Sequence, residues 1–142
     1  MAGYLTFTCG GLELLVRSRD LKGVVEGPAI DPVPLVPPVV AGIFNWKGRL
    51  QTALDPSALK GGRCAAPRFA LIVDHPEGDV ALVADTVGII FHVEGDGAIE
   101  SGSDPLPPAP AGAGAGAQVV ALGAFVEAVK AEVGGGGCVS GG

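Results

Sequence analysis

The sequence predicts an all-β domain with a short C-terminal helix, and three observations carry that expectation. Short apolar/polar alternations recur from residue 4 to residue 93, clusters of turn formers separate them at short intervals, and apolar residues at helical spacing occur only near the end. The 142 residues suit a single domain. The 24 glycines and 12 prolines approach low-complexity levels, but 48% apolar against 17% charged residues leaves ample material for a core.

In residues 4–9, Leu5, Phe7 and Cys9 share one face and Tyr4, Thr6 and Thr8 the other, as a half-buried strand requires. Gly10-Gly11 supplies a tight hairpin turn, after which Leu12, Leu14 and Val16 resume the alternation. Ser18 to Lys22 suits one capped helical turn, and the β-branched Val24-Val25 begins another strand. Five prolines between Gly27 and Pro38 remove backbone donors and predict an extended connection. Residues 39–46 then read as a strand, Lys47-Gly48 as a turn, and residues 49–54 as the returning strand with Leu50 and Leu54 pointing inward. Asp55 is the expected N-cap of one short helix, with Pro56 at its first position and an end near Gly61-Gly62.

Residues 69–73, 80–84 and 86–93 are three further strands, the first two separated by the turn formers between Asp74 and Asp79. Seven or eight short strands point to barrels or a sandwich and away from an alternating β/α architecture. Residues 105–117 hold four prolines, three glycines and five alanines with only Leu106 to bury, which predicts a flexible bridge. Residues 119–122 could form a last strand, and Phe125, Val126, Val129 and Val133 mark an amphipathic helix. The domain is therefore expected over residues 1–133, with residues 134–142 as a disordered glycine-rich tail.

A net charge of −6 without any run of Lys or Arg disfavours binding to nucleic acid or to an anionic membrane. No apolar stretch approaches the roughly 20 residues that span a bilayer, so no membrane insertion is expected. Three cysteines without a CxxC pair argue against a disulfide framework, and a reducing cytoplasm is the expected compartment. His75 and His92 have no second His or Cys at ligand spacing, so no metal site is expected. Cys9, Cys64 and Ser57 lack the surroundings of an activated nucleophile, and Asp55, Asp74 and Asp85 stand where caps and turn bonds are usual. Neither Gly10-Gly11 nor Gly61-Gly62 leads into a phosphate-binding or dinucleotide motif. No catalytic residue and no cofactor are expected.

The most specific stretch is a proline-rich connection followed by Gly42-Ile43-Phe44-Asn45-Trp46-Lys47-Gly48-Arg49-Leu50 and then Leu54-Asp55. This resembles the CheW family, the adaptors of bacterial chemosensory arrays, in which a proline-bracketed segment leads into a Gly-Val-Ile-Asn-Leu-Arg-Gly type hairpin and a strand ending in Asp. The opening hairpin and the strand Val80-Ala81-Leu82-Val83-Ala84-Asp85-Thr86-Val87 support the resemblance in the right order, over roughly residues 4 to 93. The resemblance implies two intertwined five-stranded SH3-like barrels without a catalytic site. It also implies two partners, the cytoplasmic tip of a methyl-accepting receptor and the regulatory domain of a CheA-type histidine kinase.

In that family an Arg of the hairpin and an upstream Glu form an ion pair on the receptor-facing surface, and the matching positions here are Lys47 and Gly23. Lysine does not reproduce a bidentate guanidinium contact, and Gly23 removes the acid altogether. Trp46, in place of the family's common Leu, is open between a core aromatic and an interface anchor. Arg49 is open between a solvated turn residue and a contact. The expected partner-binding set is Leu21, Gly23, Gly42, Phe44, Asn45, Trp46, Lys47, Gly48 and Arg49. The glycine, alanine and proline stretch replaces a longer segment of the family, which predicts one barrel trimmed or incompletely closed. Both departures predict a divergent paralogue that keeps mainly the receptor-binding face, has a weakened kinase face, and modulates array assembly in taxis or surface motility. The rival readings are a generic SH3-like peptide-binding module outside chemotaxis and, behind it, an enzyme.

Overall fold

The computed structural model describes residues 2–64, 66–76, 78–93, 105–109 and 116–137. Alternation and turn chemistry yield nine strands there: β1 (Ala2–Cys9), β2 (Leu12–Arg17), β3 (Leu21–Glu26), β4 (Val40–Trp46), β5 (Arg49–Leu54), β6 (Phe69–Val73), β7 (Val80–Ala84), β8 (Thr86–Val93) and β9 (Gln118–Val119). One helix, α1 (Leu122–Gly137), follows. A 3-10 turn over Ser18–Asp20 leads from β2 into β3. A second, Pro56–Lys60, has the expected design: Asp55 is its N-cap, Pro56 opens it, and Gly61 closes it in the left-handed conformation.

The strands form two sheets, one in the order β8-β1-β2-β9 and the other in the order β3-β6-β7-β5-β4. The chain begins in the first sheet, crosses to build the whole of the second, and returns with β8 and β9, so the two are intertwined. Pairing is antiparallel except between β2 and β9 and between β5 and β7. The main core draws on both sheets. Leu5, Phe7, Cys9, Leu14 and Val16 meet Phe44, Ala53, Leu71, Ile72, Leu82 and Val83, and Phe125 of α1 joins them. This is the predicted class: mostly strands in two sheets, with one C-terminal helix. Among the described residues no ladder joins β8 to β9 or β3 to β4, so neither sheet closes on itself through its backbone.

Four expectations need correction. Residues 105–109 and 116–117 are not a free bridge. Leu106 is buried in the main core, and the prolines, though they lack amide donors, accept through their carbonyls: Pro105 O from Ala121 N at 3.0 Å and Pro107 O from Val119 N at 2.8 Å. The arm so formed covers the second face of the first sheet, where Tyr4 and Leu15 pack with Ala117, Val119 and Ala109. Residues 134–137 of the expected tail lie in α1, because a helix already held by packing adds one hydrogen bond per residue as it propagates. Leu50 points outward, 72% exposed, while Gln51, Ala53 and Leu54 face inward. The expected strand over residues 119–122 is the shorter β9, with α1 starting at Leu122. The rest of the expected bridge, residues 110–115, and the last five residues of the tail lie outside the described residues.

Candidate functional site

The candidate surface is built on the β4–β5 hairpin. Lys47 and Gly48 have φ angles of 52° and 81°, the two consecutive positive values that a two-residue turn of the I′ kind requires. A residue with a side chain seldom adopts such an angle, and here Asn45 supports the turn: its Oδ1 accepts the Gly48 amide at 3.0 Å. The two-residue loop fixes the register, with Trp46 opposite Arg49 and Asn45 opposite Leu50. Asn45 and Leu50 are both exposed on one face of the hairpin. Trp46, on the other face, is half-buried and packs against the main core.

β3 and β4 are the two outermost strands of the second sheet, yet Trp46 reaches from one to the other. A Cβ at Gly23 would lie 3.1 Å from Cζ2 of the indole, so the ring rests on bare β3 backbone. The sheet therefore curls until its edges meet through one aromatic side chain. Lys47 Nζ stands 4.9 Å from the centroid of the same ring, within cation–π range. Among the described residues neither Lys47 nor Arg49 has a carboxylate partner, whereas nearby on β3 Lys22 pairs with Asp79 at 3.0 Å. The tip is thus apolar and cationic on a chain whose net charge is −6.

Of the expected contact residues, the structure brings Gly23, Trp46 and Lys47 together, with Asn45 and Gly48 as the makers of the turn and Arg49 across from Trp46. Leu21, two residues before Gly23 on β3, is half-buried against the core. Phe44 and Gly42 are corrected from surface to interior. Phe44 is a core residue, 3% exposed. Gly42 is the place where the proline-rich connection crosses β4: Asp31 exchanges both backbone hydrogen bonds with Ile43, at 2.7 and 2.9 Å. With φ at 153°, a Cβ at Gly42 would collide with the Asp31 carbonyl and the Ile30 side chain. Leu50 was missed as a surface residue although the turn announces it: once Asn45 faces solvent, the residue paired with it across a two-residue loop must do so too.

A second cluster is polar and buried. Asp55 Oδ1 accepts from Ser57 N at 3.0 Å, from Ser57 Oγ at 2.5 Å and from Cys9 Sγ at 3.1 Å, while Oδ2 accepts from Cys64 N at 2.8 Å. Asp85 accepts from Gly10 N at 2.9 Å and from Cys64 Sγ at 3.2 Å. The cluster ties the end of β1 to the end of β5 and to the β7–β8 junction, and so joins the two sheets. Burial, reinforced by the hydrogen bond to Asp85, pushes the Cys64 thiol up to about 12; burial and then the Asp55 charge push Cys9 in the same direction. These thiols stay protonated as donors, the opposite of an activated nucleophile. Among the described residues no three His, Cys, Asp or Glu side chains converge to hold a metal. No helix among the described residues is long and apolar enough to cross a membrane.

Two intertwined sheets with an apolar, cationic hairpin at one tip define a two-sheet, mostly β domain. The model of the CheW-like domain family matches residues 3–117, and the chain belongs to that family. In fold it is similar to the scaffolding protein TtCheW from Thermoanaerobacter tengcongensis, with a TM-score of 0.56 and 19% identity. That match covers 63% of this chain and 64% of the other, so the chain spans a little under two thirds of that structure's length. No curated protein matches the chain.

Proposed function

We propose that the chain is a non-catalytic cytoplasmic adaptor of a chemosensory pathway, one that links methyl-accepting receptors to a CheA-type histidine kinase and has kept mainly its receptor-binding face. The observation that carries this reading is the CheW-like match over residues 3–117, most of the described chain. The hairpin supports it: Trp46, Lys47 and Arg49 on one face and Leu50 on the other place apolar surface at one tip together with positive charge that no carboxylate among the described residues neutralises, a combination suited to holding another protein. Leu21 and Gly23 lie on β3 beside it. An adaptor of this kind works by binding two macromolecules at once and uses no cofactor. With the kinase face weakened, the chain modulates array assembly in taxis or surface motility instead of serving as the principal coupler.

The test is a titration of the full chain against a receptor cytoplasmic-tip fragment and, separately, against the kinase regulatory domain. Binding to the receptor fragment at least about tenfold tighter than to the kinase domain is expected, a difference of about 1.4 kcal/mol. Equally tight binding to both removes the weakened kinase face. Binding to neither, with recovery of proline-rich ligands alone, replaces the adaptor by a peptide-binding module outside chemotaxis.

A further inference from the structure

We infer that the β4–β5 tip selects a partner surface that carries a carboxylate, because among the described residues no acid neutralises the tip from within. The inference deepens the adaptor reading and rests on it: the occupant is the cytoplasmic tip of a receptor, and what is added is the charge it must bring. Gly23 lies directly beneath Trp46, so the β3 position nearest the tip offers backbone in place of a side chain. The indole fills that space and carries Lys47 against its ring, with Nζ 4.9 Å from the centroid. An ammonium on an aromatic face turns part of its charge to the ring, which accepts no conventional hydrogen bond from it, and leaves its far-side N–H donors for an incoming oxygen. Arg49, opposite Trp46 in the hairpin register, adds a second exposed cation, and neither has a carboxylate partner among the described residues.

Lys22 shows the alternative on the same sheet. Its charge is neutralised by Asp79, so it is not available to a partner in the same way. Leu50, exposed beside Asn45, lies on the opposite face of the hairpin from Trp46 and Arg49, so the apolar area next to the two rim cations is the indole itself. Rim charges of this kind act on the encounter rate and on salt dependence more than on buried contact, and they discriminate against partners that are neutral or basic at that spot.

The experiment uses the full chain and a receptor cytoplasmic-tip fragment, with affinity measured between about 0.05 and about 0.5 M salt, a range over which the screening length shortens severalfold. Lys47→Gln and Arg49→Gln are each expected to weaken binding about threefold and together about tenfold, as rim ion pairs do, and the double variant loses most of the salt dependence. Lys47→Arg retains it. Gly23→Glu, which returns an acid to the chain, is expected to weaken binding beyond the steric control Gly23→Ala. Wild-type binding that all four neutralising or acid-restoring changes leave within twofold, at every salt concentration, overturns the inference and leaves the adaptor reading standing. If the wild-type chain does not bind the fragment at all, the adaptor reading fails and the inference with it.

Discussion

The indole of Trp46 lies on the bare backbone of Gly23, with only 3.1 Å between its Cζ2 and the point where a Cβ would stand. The contact joins the two outer strands of one sheet, so residue 23 controls how far that sheet can curl. Gly23→Ala forces the ring outward by a few tenths of an ångström, and overpacking of this kind costs about 1 kcal/mol. Trp46 is the only tryptophan in the chain, so its emission reports this site alone. A lower urea midpoint and a red-shifted, more readily quenched emission are expected. Unchanged emission in a folded variant would show that the ring does not depend on the gap.

Asp55 uses both carboxylate oxygens to hold four donors from three parts of the chain, and it is 3% exposed. Asparagine has the same shape but turns one acceptor into a donor, which must then face Cys64 N or the Ser57 and Cys9 donors. Asp55→Asn is expected to cost about 2–3 kcal/mol, the range for losing charged hydrogen bonds and leaving buried donors unmet. Urea unfolding measures it. A loss below about 0.5 kcal/mol would mean that the two sheets do not rely on this link.

The features written into adjacent residues were the ones legible in the sequence. The Gly10-Gly11 and Lys47-Gly48 turns and the Asp55-Pro56 start of a 3-10 turn depend on local backbone preferences, and all lie where those preferences put them. Leu50 and Leu54 do not share the inward face because Gln51 and Ala53 set the phase of β5, and Leu54 joins Ala53 inside only at the strand's end. The contact between Gly23 and Trp46 had no local signal. It arises from curvature across five strands, β3-β6-β7-β5-β4, and so brings together residues that are not neighbours in any ladder. The family resemblance had set positions 23 and 47 side by side as a lost ion pair; what fills that place is the intervening tryptophan.

The two buried thiols make stability sensitive to alkali. An unfolded cysteine loses its proton near about pH 8.5. In the folded chain burial and the hydrogen bond to Asp85 raise Cys64 to about 12, and burial and the Asp55 charge raise Cys9 as well. Above about pH 8.5 the unfolded chain therefore binds fewer protons than the folded one, so the stabilisation present below that pH declines as pH rises toward the folded values. Urea midpoints between about pH 7.5 and about pH 9.5 are expected to fall, and the Cys9→Ser, Cys64→Ser double variant, which does not titrate there, should give a flatter profile. Equal slopes for the two proteins would assign the decline to other groups.

Composition makes the stretch around Leu106 look like a linker, and the core makes it structural. Leu106 is 1% exposed among main-core residues, and its carbonyl accepts from Gln118 Nε2 at 2.7 Å. The arm on either side is held by three backbone hydrogen bonds: Ala109 N to Ala117 O, Val119 N to Pro107 O and Ala121 N to Pro105 O. A residue in a tethered but unpacked linker could be shortened to alanine with almost no effect. Here Leu106→Ala removes a buried side chain and leaves a cavity, at a cost of about 3 kcal/mol. The same change should expose Tyr4 and Leu15, because the arm that covers them is anchored at Leu106. Hydrogen exchange at the β2–β9 pairing, where Leu14 meets Gln118 and Leu15 meets Val119, should quicken by more than at β6 and β7. A variant with native stability and uniform exchange would return the segment to the role of a bridge and leave the second face of the first sheet without a cover.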